Sequence, residues 1–143
     1  MTERVDLLAL VLPLERRLRR VEDEAALGEG LSMWQYAILA TAERHPGRTQ
    51  AWVVECLDYD KNRIVADVDR LGELGLLERR PGADRRSHAL HVTTTGRAVR
   101  RRVQRAIHRA EDQLLRDVPP SVRTQLDEAL AATVQHLRSP ADR

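Results

Sequence analysis

Phenylalanine is absent from the 143 residues, and two Trp and two Tyr are the only aromatic side chains besides His. Any core must therefore be aliphatic, built chiefly from Leu, Val and Ala. Cysteine occurs once, at Cys56, which excludes an internal disulfide and is compatible with a reducing compartment. Long hydrophobic runs are missing as well. The apolar stretch at residues 5–14 is interrupted by Asp6 and Pro13 and followed by Arg16-Arg17, whereas a membrane-spanning helix needs roughly 20 apolar residues. The same stretch lacks the basic start and small-residue cleavage site of a secretory leader. A cytoplasmic location with no membrane partner is expected. Also absent at usable spacing are a Ser/His/Asp grouping, paired carboxylates, a phosphate loop and a metal-ligand cluster. The five histidines are scattered, and His88 and His91, three apart on an expected strand, would point to opposite faces. No enzyme activity, cofactor or metal is expected.

What is there is unevenly placed. The formal net charge is only +2, yet residues 61–105 hold twelve basic groups against five acidic ones. Residues 1–60 carry seven basic and eleven acidic groups, and residues 106–143 carry five and six. The positive potential is concentrated on one segment, as expected of a surface that meets a polyanion. A solvated helix face is an equal account of Arg100-Arg101-Arg102. At 143 residues the chain has the length of one domain with a real core.

Helical periodicity covers most of the chain. Val5, Leu8, Leu12, Leu14, Leu18 and Val21 form a first apolar stripe, with Pro13 inside it and a stop at Gly28-Glu29-Gly30. Ser32 is placed to cap a second helix over 33–43, with Ile38, Leu39 and Ala42 inward, and His45-Pro46-Gly47 ends it. Thr49 opens a short third helix through Leu57. After the Asp58-Tyr59 turn, Asp60 caps a fourth helix over 61–74. Two helices joined by so short a turn form a helix-turn-helix. On the fourth helix Ile64, Val68 and Leu71 face the core, and Asn62, Arg63, Ala66, Asp67 and Arg70 are expected on the opposite face. Gly75 stops it.

Residues 76–80 and 87–92 read as antiparallel strands around Pro81-Gly82-Ala83-Asp84. Thr93 caps a long fifth helix with Val99, Val103, Ile107, Ala110 and Leu114 on one side. Pro119-Pro120 breaks the chain, and Ser121 opens a sixth helix bearing Val122, Leu126, Leu130, Val134 and Leu137. The first, fifth and sixth helices lie outside the helix-turn-helix, so their apolar stripes need a partner. A homodimer is the economical answer. It would also set two reading helices about one DNA turn (~34 Å) apart, matching a two-fold symmetric site.

From Leu31 to Arg97 the chain resembles the MarR family of winged helix-turn-helix transcriptional regulators. The landmarks are Leu31-Ser32-Met33-Trp34-Gln35-Tyr36, Thr49-Gln50-Ala51, Val68-Asp69-Arg70-Leu71, Gly75-Leu76-Leu77-Glu78-Arg79-Arg80, the triplet Asp84-Arg85-Arg86, and Thr93 to Gly96-Arg97. The resemblance implies a mainly α fold with a β-hairpin wing and long terminal dimerisation helices. The single domain 1–143 would comprise a winged helix-turn-helix DNA-binding region at 31–93 and a helical dimerisation region at 4–27 and 94–138. It further implies that the helix at 61–74 enters the major groove of double-stranded DNA and the wing at 81–88 meets the minor groove. There Asp84 would pair with and orient Arg86, while Arg85 meets a phosphate.

This chain departs from the family in having Lys61-Asn62-Arg63 early in the reading helix and Val65-Ala66 one turn later. Arg63 matches guanine O6/N7, and Asn62 matches adenine. Asp67 would accept from cytosine N4 or pair with Arg63 or Arg70, and Arg70 either reads DNA or is tied to Glu73 or Asp67. Cys56, among Val53, Val54 and Leu57, suits a small core hydrophobe better than a redox sensor. In the resemblance, small aromatic or phenolic effectors bind a cleft between the dimer helices and the reading domain. Leu10, Leu14, Arg17, Met33, Trp34, Tyr36 and Trp52 are the candidates to line it, with plain packing the alternative for each. The expected function is a ligand-responsive repressor on a palindromic operator. The alternative is a winged-helix module for protein contacts.

Overall fold

Side-chain oxygens set the starts of most helices. In this computed structural model, which describes residues 3–84 and 86–137, the elements run α1 (Leu7–Leu27), α2 (Met33–Arg44), α3 (Gln50–Leu57), α4 (Lys61–Glu73), β1 (Leu77–Pro81), β2 (His88–Val92), α5 (Thr94–Leu114) and α6 (Pro120–His136). Ser32 Oγ accepts from the Gln35 N–H, and the Gln35 side chain accepts from the Ser32 N–H in return, a reciprocal capping box at the start of α2. Thr49, Asp60 and Thr93 cap α3, α4 and α5 through their side-chain oxygens. Each cap satisfies backbone donors that a helix start leaves unpaired. The fold is the expected one: mainly α, with a two-stranded antiparallel hairpin.

The core is aliphatic, as the missing phenylalanine requires. Ile38, Leu39, Val53, Ile64, Val68, Leu71, Leu90 and Val103 are its largest fully buried side chains. Tyr36, Trp52 and Tyr59 pack only at its edge. The three α4 residues of this set are those whose spacing places them on one face, so the apolar period turns that helix's other side outward.

The hairpin is held from both sides. β1 pairs with β2 from Leu77 opposite Val92 to Pro81 opposite His88. The strands begin one residue later than the sequence pattern suggests, because their neighbours serve the helix ends. The Leu76 N–H donates to Leu71 O across Gly75, whose φ is +71°, and the Leu76 carbonyl accepts from Thr93 N–H. Pro81 extends β1 instead, at a ladder end where a missing N–H is tolerated. On the far side of β2, Leu90 N–H donates to Arg48 O at 2.9 Å and Thr49 bridges Ala89. The start of α3 is thereby fixed against the wing.

α6 opens at Pro120, one residue before the expected Ser121, and none of its residues is buried. Val134 and Leu137 are 66% and 74% exposed, and Leu7, Leu8 and Leu10 at the start of α1 are exposed to a similar degree. No helix among the described residues is long and apolar enough to cross a membrane.

Candidate nucleic-acid interface

Asp60 places the first residues of α4. Its Oδ1 accepts from Asn62 N–H at 2.9 Å and from Arg63 N–H at 3.4 Å. The helix thus begins with Lys61, Asn62 and Arg63 on its exposed end, joined along the same side by Ala66 and Arg70. Arg70 donates to Glu73 at 3.2 Å in an exposed i,i+3 pair, so one of its two expected structural partners is realised. An exposed pair of this kind is weak and opens readily toward another anion.

Asp67 departs from the expectation of a reading residue. It is half-buried, and its Oδ1 accepts from Gln35 Nε2 at 3.0 Å, with neither Arg63 nor Arg70 as hydrogen-bond donor. Three residues after Ile64 and four before Leu71, it lies only about 60° around the helix from the buried stripe. That shoulder faces α2.

The wing tip is ordered by Asp84. Its Oδ1 accepts from the backbone N–H of Arg86 at 3.3 Å, and its carbonyl accepts from both the N–H and Oγ of Ser87 at 3.0 Å. The resemblance implies that Asp84 pairs with and orients Arg86, and the bond shown runs from the Arg86 main chain to the Asp84 carboxylate. Arg86 itself is exposed. Arg85 lies outside the described residues. Lys61 and Arg86 border the same recess, together with Thr49, Gln50, Val65 and His88, so the early end of α4 and the wing form one surface.

Three contributors to this surface escaped the sequence reading. Arg79 on β1 donates to Gln50 Oε1 at 3.1 Å and pairs with Asp69 at 2.6 Å, tying the wing to α3 and α4 at once. Tyr59 accepts from Arg63 Nη1 at 3.4 Å, which raises the guanidinium pKa. Gln35 holds Asp67. Each joins residues that no local period connects, except that the i,i+4 spacing of Tyr59 and Arg63 was available to be noticed.

The residues expected to line an effector cleft are distributed. Leu10, Leu14 and Met33 share an apolar groove of about 470 Å³ with Leu18, Leu126 and Leu130, rimmed by Glu15, Arg19 and Glu22. Arg17 sits with Arg16 and Arg20 in a different recess, near Pro13 and Leu114. Trp34 stacks on Tyr59. Tyr36 lies in a polar recess beside Glu43, Arg44 and Arg100, where burial raises its hydroxyl pKa. Trp52 meets His45 edge-on at 4.9 Å, with the Arg48 guanidinium over its ring.

Comparison with known proteins fits this geometry. The MarR-family sequence pattern matches residues 29–87, the stretch that contains α2, α3, α4 and most of the wing. The chain carries a MarR-family domain. A Thauera aromatica protein assigned as transcriptional regulator of the hcr operon is 32% identical over 84 residues, 58% of this chain. The match spans 51%, about half, of that relative's length. Wild-type MarR from E. coli has the same fold as this chain, with a TM-score of 0.82 at 20% identity over 92% of this chain and 98% of that one. The repressor CouR bound to a 23-mer DNA duplex superposes with a TM-score of 0.78 at 26% identity, covering 93% of this chain and 99% of its own. CouR from Rhodococcus jostii RHA1 bound to p-coumaroyl-CoA gives 0.74 at 24%, over 90% and 91% of the two chains.

Proposed function

We propose that the protein is a homodimeric, sequence-specific DNA-binding regulator of transcription, acting in the cytoplasm as a ligand-responsive repressor on a palindromic operator. The observation that carries this reading is the recess that Lys61 on α4 shares with Arg86 on the wing, with Asn62 and Arg63 exposed next to Lys61 in the first turn of α4. A helix presenting polar and cationic side chains from its first turns suits the major groove, and an exposed Arg on an adjacent hairpin suits a minor groove or phosphates. The 26% identity and shared fold with DNA-bound CouR support the same use.

The dimer follows from the exposed apolar side chains on α6 and the start of α1, which a second copy would cover. A two-fold dimer presents two α4 helices to two half-sites. Regulation is assigned to the apolar groove at Leu10, Leu14 and Met33, which shares Leu10 and Leu130 with the face given to the dimer and would therefore take a small aromatic or phenolic ligand at the edge of that interface. Such a ligand acts only by binding the DNA-competent and incompetent spacings unequally.

Arg86→Ala tests the reading. Duplex affinity measured by fluorescence anisotropy should fall by about tenfold, with the far-UV circular dichroism unchanged. Unchanged duplex affinity, with loss of a bound protein instead, would leave a winged-helix interaction module in place of a DNA reader.

A further inference from the structure

The first turn of α2 makes two contacts, one to Tyr59 in the turn that leads into α4 and one to Asp67 on α4 itself. Trp34 stacks face to face on Tyr59, with ring centroids 4.0 Å apart and planes 8° from parallel. The Tyr59 hydroxyl in turn accepts from Arg63 Nη1 at 3.4 Å. One residue along, Gln35 divides its amide between two elements. Its Oε1 accepts from Ser32 N–H at 3.0 Å, and its Nε2 donates to Asp67 Oδ1 at 3.0 Å. The turn that carries both residues is closed by Ser32 Oγ accepting from Gln35 N–H at 3.1 Å.

Two effects on recognition follow. An exposed arginine has many rotamers, and ordering it on a base costs entropy that offsets much of the contact. A ring held by stacking and accepting from Nη1 orders the guanidinium before DNA arrives. It also leaves the Nε–Nη2 edge to present two donors to guanine O6 and N7. Asp67 is handled the opposite way. Its carboxylate, turned back to Gln35, is kept from the phosphates that it would repel and from the arginines whose charge it would neutralise.

We propose that Trp34, Tyr59 and Gln35 are positioning residues for base recognition, the first two by orienting Arg63 and the third by withdrawing Asp67 from the DNA. This rests on the reading of α4 as the base-contacting helix. It assigns specificity to Lys61, Asn62, Arg63 and Ala66 and removes Asp67 from that set.

Selection of binding sites from a randomised duplex library, using the full chain, separates the possibilities. Wild type should enrich a two-fold symmetric motif, and Arg63→Ala should flatten one position in each half-site. Tyr59→Phe keeps the ring stack and removes only the hydroxyl, so it should weaken preference at that same position by about threefold or more and spare the others. Trp34→Leu should weaken it there too. Asp67→Asn, whose amide oxygen still accepts from Gln35, should leave the motif unchanged. A Tyr59→Phe motif identical to wild type overturns the relay, as does an equal loss at every position, which would give Tyr59 a purely structural role. A position altered by Asp67→Asn overturns the withdrawal of Asp67. If the wild type enriches no motif, the DNA reading itself falls and takes the relay with it. That outcome is distinct from a wild-type motif that survives Tyr59→Phe.

Discussion

Asp60 shows how much one side chain determines. Its carboxylate receives two backbone N–H groups at the start of α4 and also fixes where the reading residues emerge. Asp60→Ala should cost about 1 kcal/mol in urea unfolding and weaken duplex binding through fraying of residues 61–63; unchanged unfolding would show the cap to be idle. Glu22 is a second informative residue. Burial first, then the nearby Glu111 and Asp23 carboxylates, raise its pKa. A carboxylic acid whose folded pKa exceeds its unfolded value binds its proton more tightly when folded. Its contribution is therefore favourable below the unfolded pKa and is lost as pH rises through the folded one. At pH 7 Glu22→Gln should raise the melting temperature by up to about 2 °C, and the difference should vanish in acid, where wild type is protonated. A variant that melts lower at pH 7 would contradict this. Legibility differed sharply between residues. Ser32, Thr49, Asp60 and Thr93 announce themselves as caps because capping is local. The position of Asp67 on the shoulder of the apolar stripe was present in its spacing from Ile64 and Leu71. Its partner Gln35, 32 residues away, was not, since no local period links a side chain on one helix to a side chain on another.

At the scale of elements, the junction of hairpin and α5 leaves no room for a side chain at Gly96. Gly96 is buried in the first turn of α5, and a Cβ there would overlap the Leu76 carbonyl oxygen and crowd Val92. The same junction holds Thr93, whose Oγ1 donates to Gly75 O at 2.7 Å and accepts from Gly96 N–H at 2.9 Å. Gly96→Ala should therefore destabilise the fold by about 1–3 kcal/mol, measured by denaturant unfolding, and a neutral result would show that the junction relaxes freely. Helix and strand existence was readable from period and punctuation, so element order matches expectation throughout. Their relative placement was not. The bridge of Thr49 to Ala89 and the Arg79 contacts to Gln50 and Asp69 are what fix the wing against the helix-turn-helix. Those contacts depend on packing of segments distant in sequence. For the same reason Trp34, Tyr36 and Trp52, which the resemblance grouped in one cleft, divide between a stack, a polar recess and the flank of α3.

For the whole molecule, the unburied apolar faces are what the proposed dimer would cover. Leu130 and Val134 on α6 are 43% and 66% exposed, in a helix with no buried residue of its own. Sedimentation should show the wild type at twice the chain mass of 16.3 kDa. Leu130→Glu combined with Val134→Glu should shift it to the single-chain mass with helical content retained. A wild type that sediments as one chain at micromolar concentration would remove the dimer from the account. The central claim, that the α4–wing surface binds duplex DNA, is tested most directly by duplex affinity as salt is raised. Lys61, Arg63, Arg70 and Arg86, used twice in a dimer, would displace counterions from the phosphates. The logarithm of the binding constant should then fall against the logarithm of salt concentration with a slope of about −4 or steeper. A slope near zero would contradict the claim.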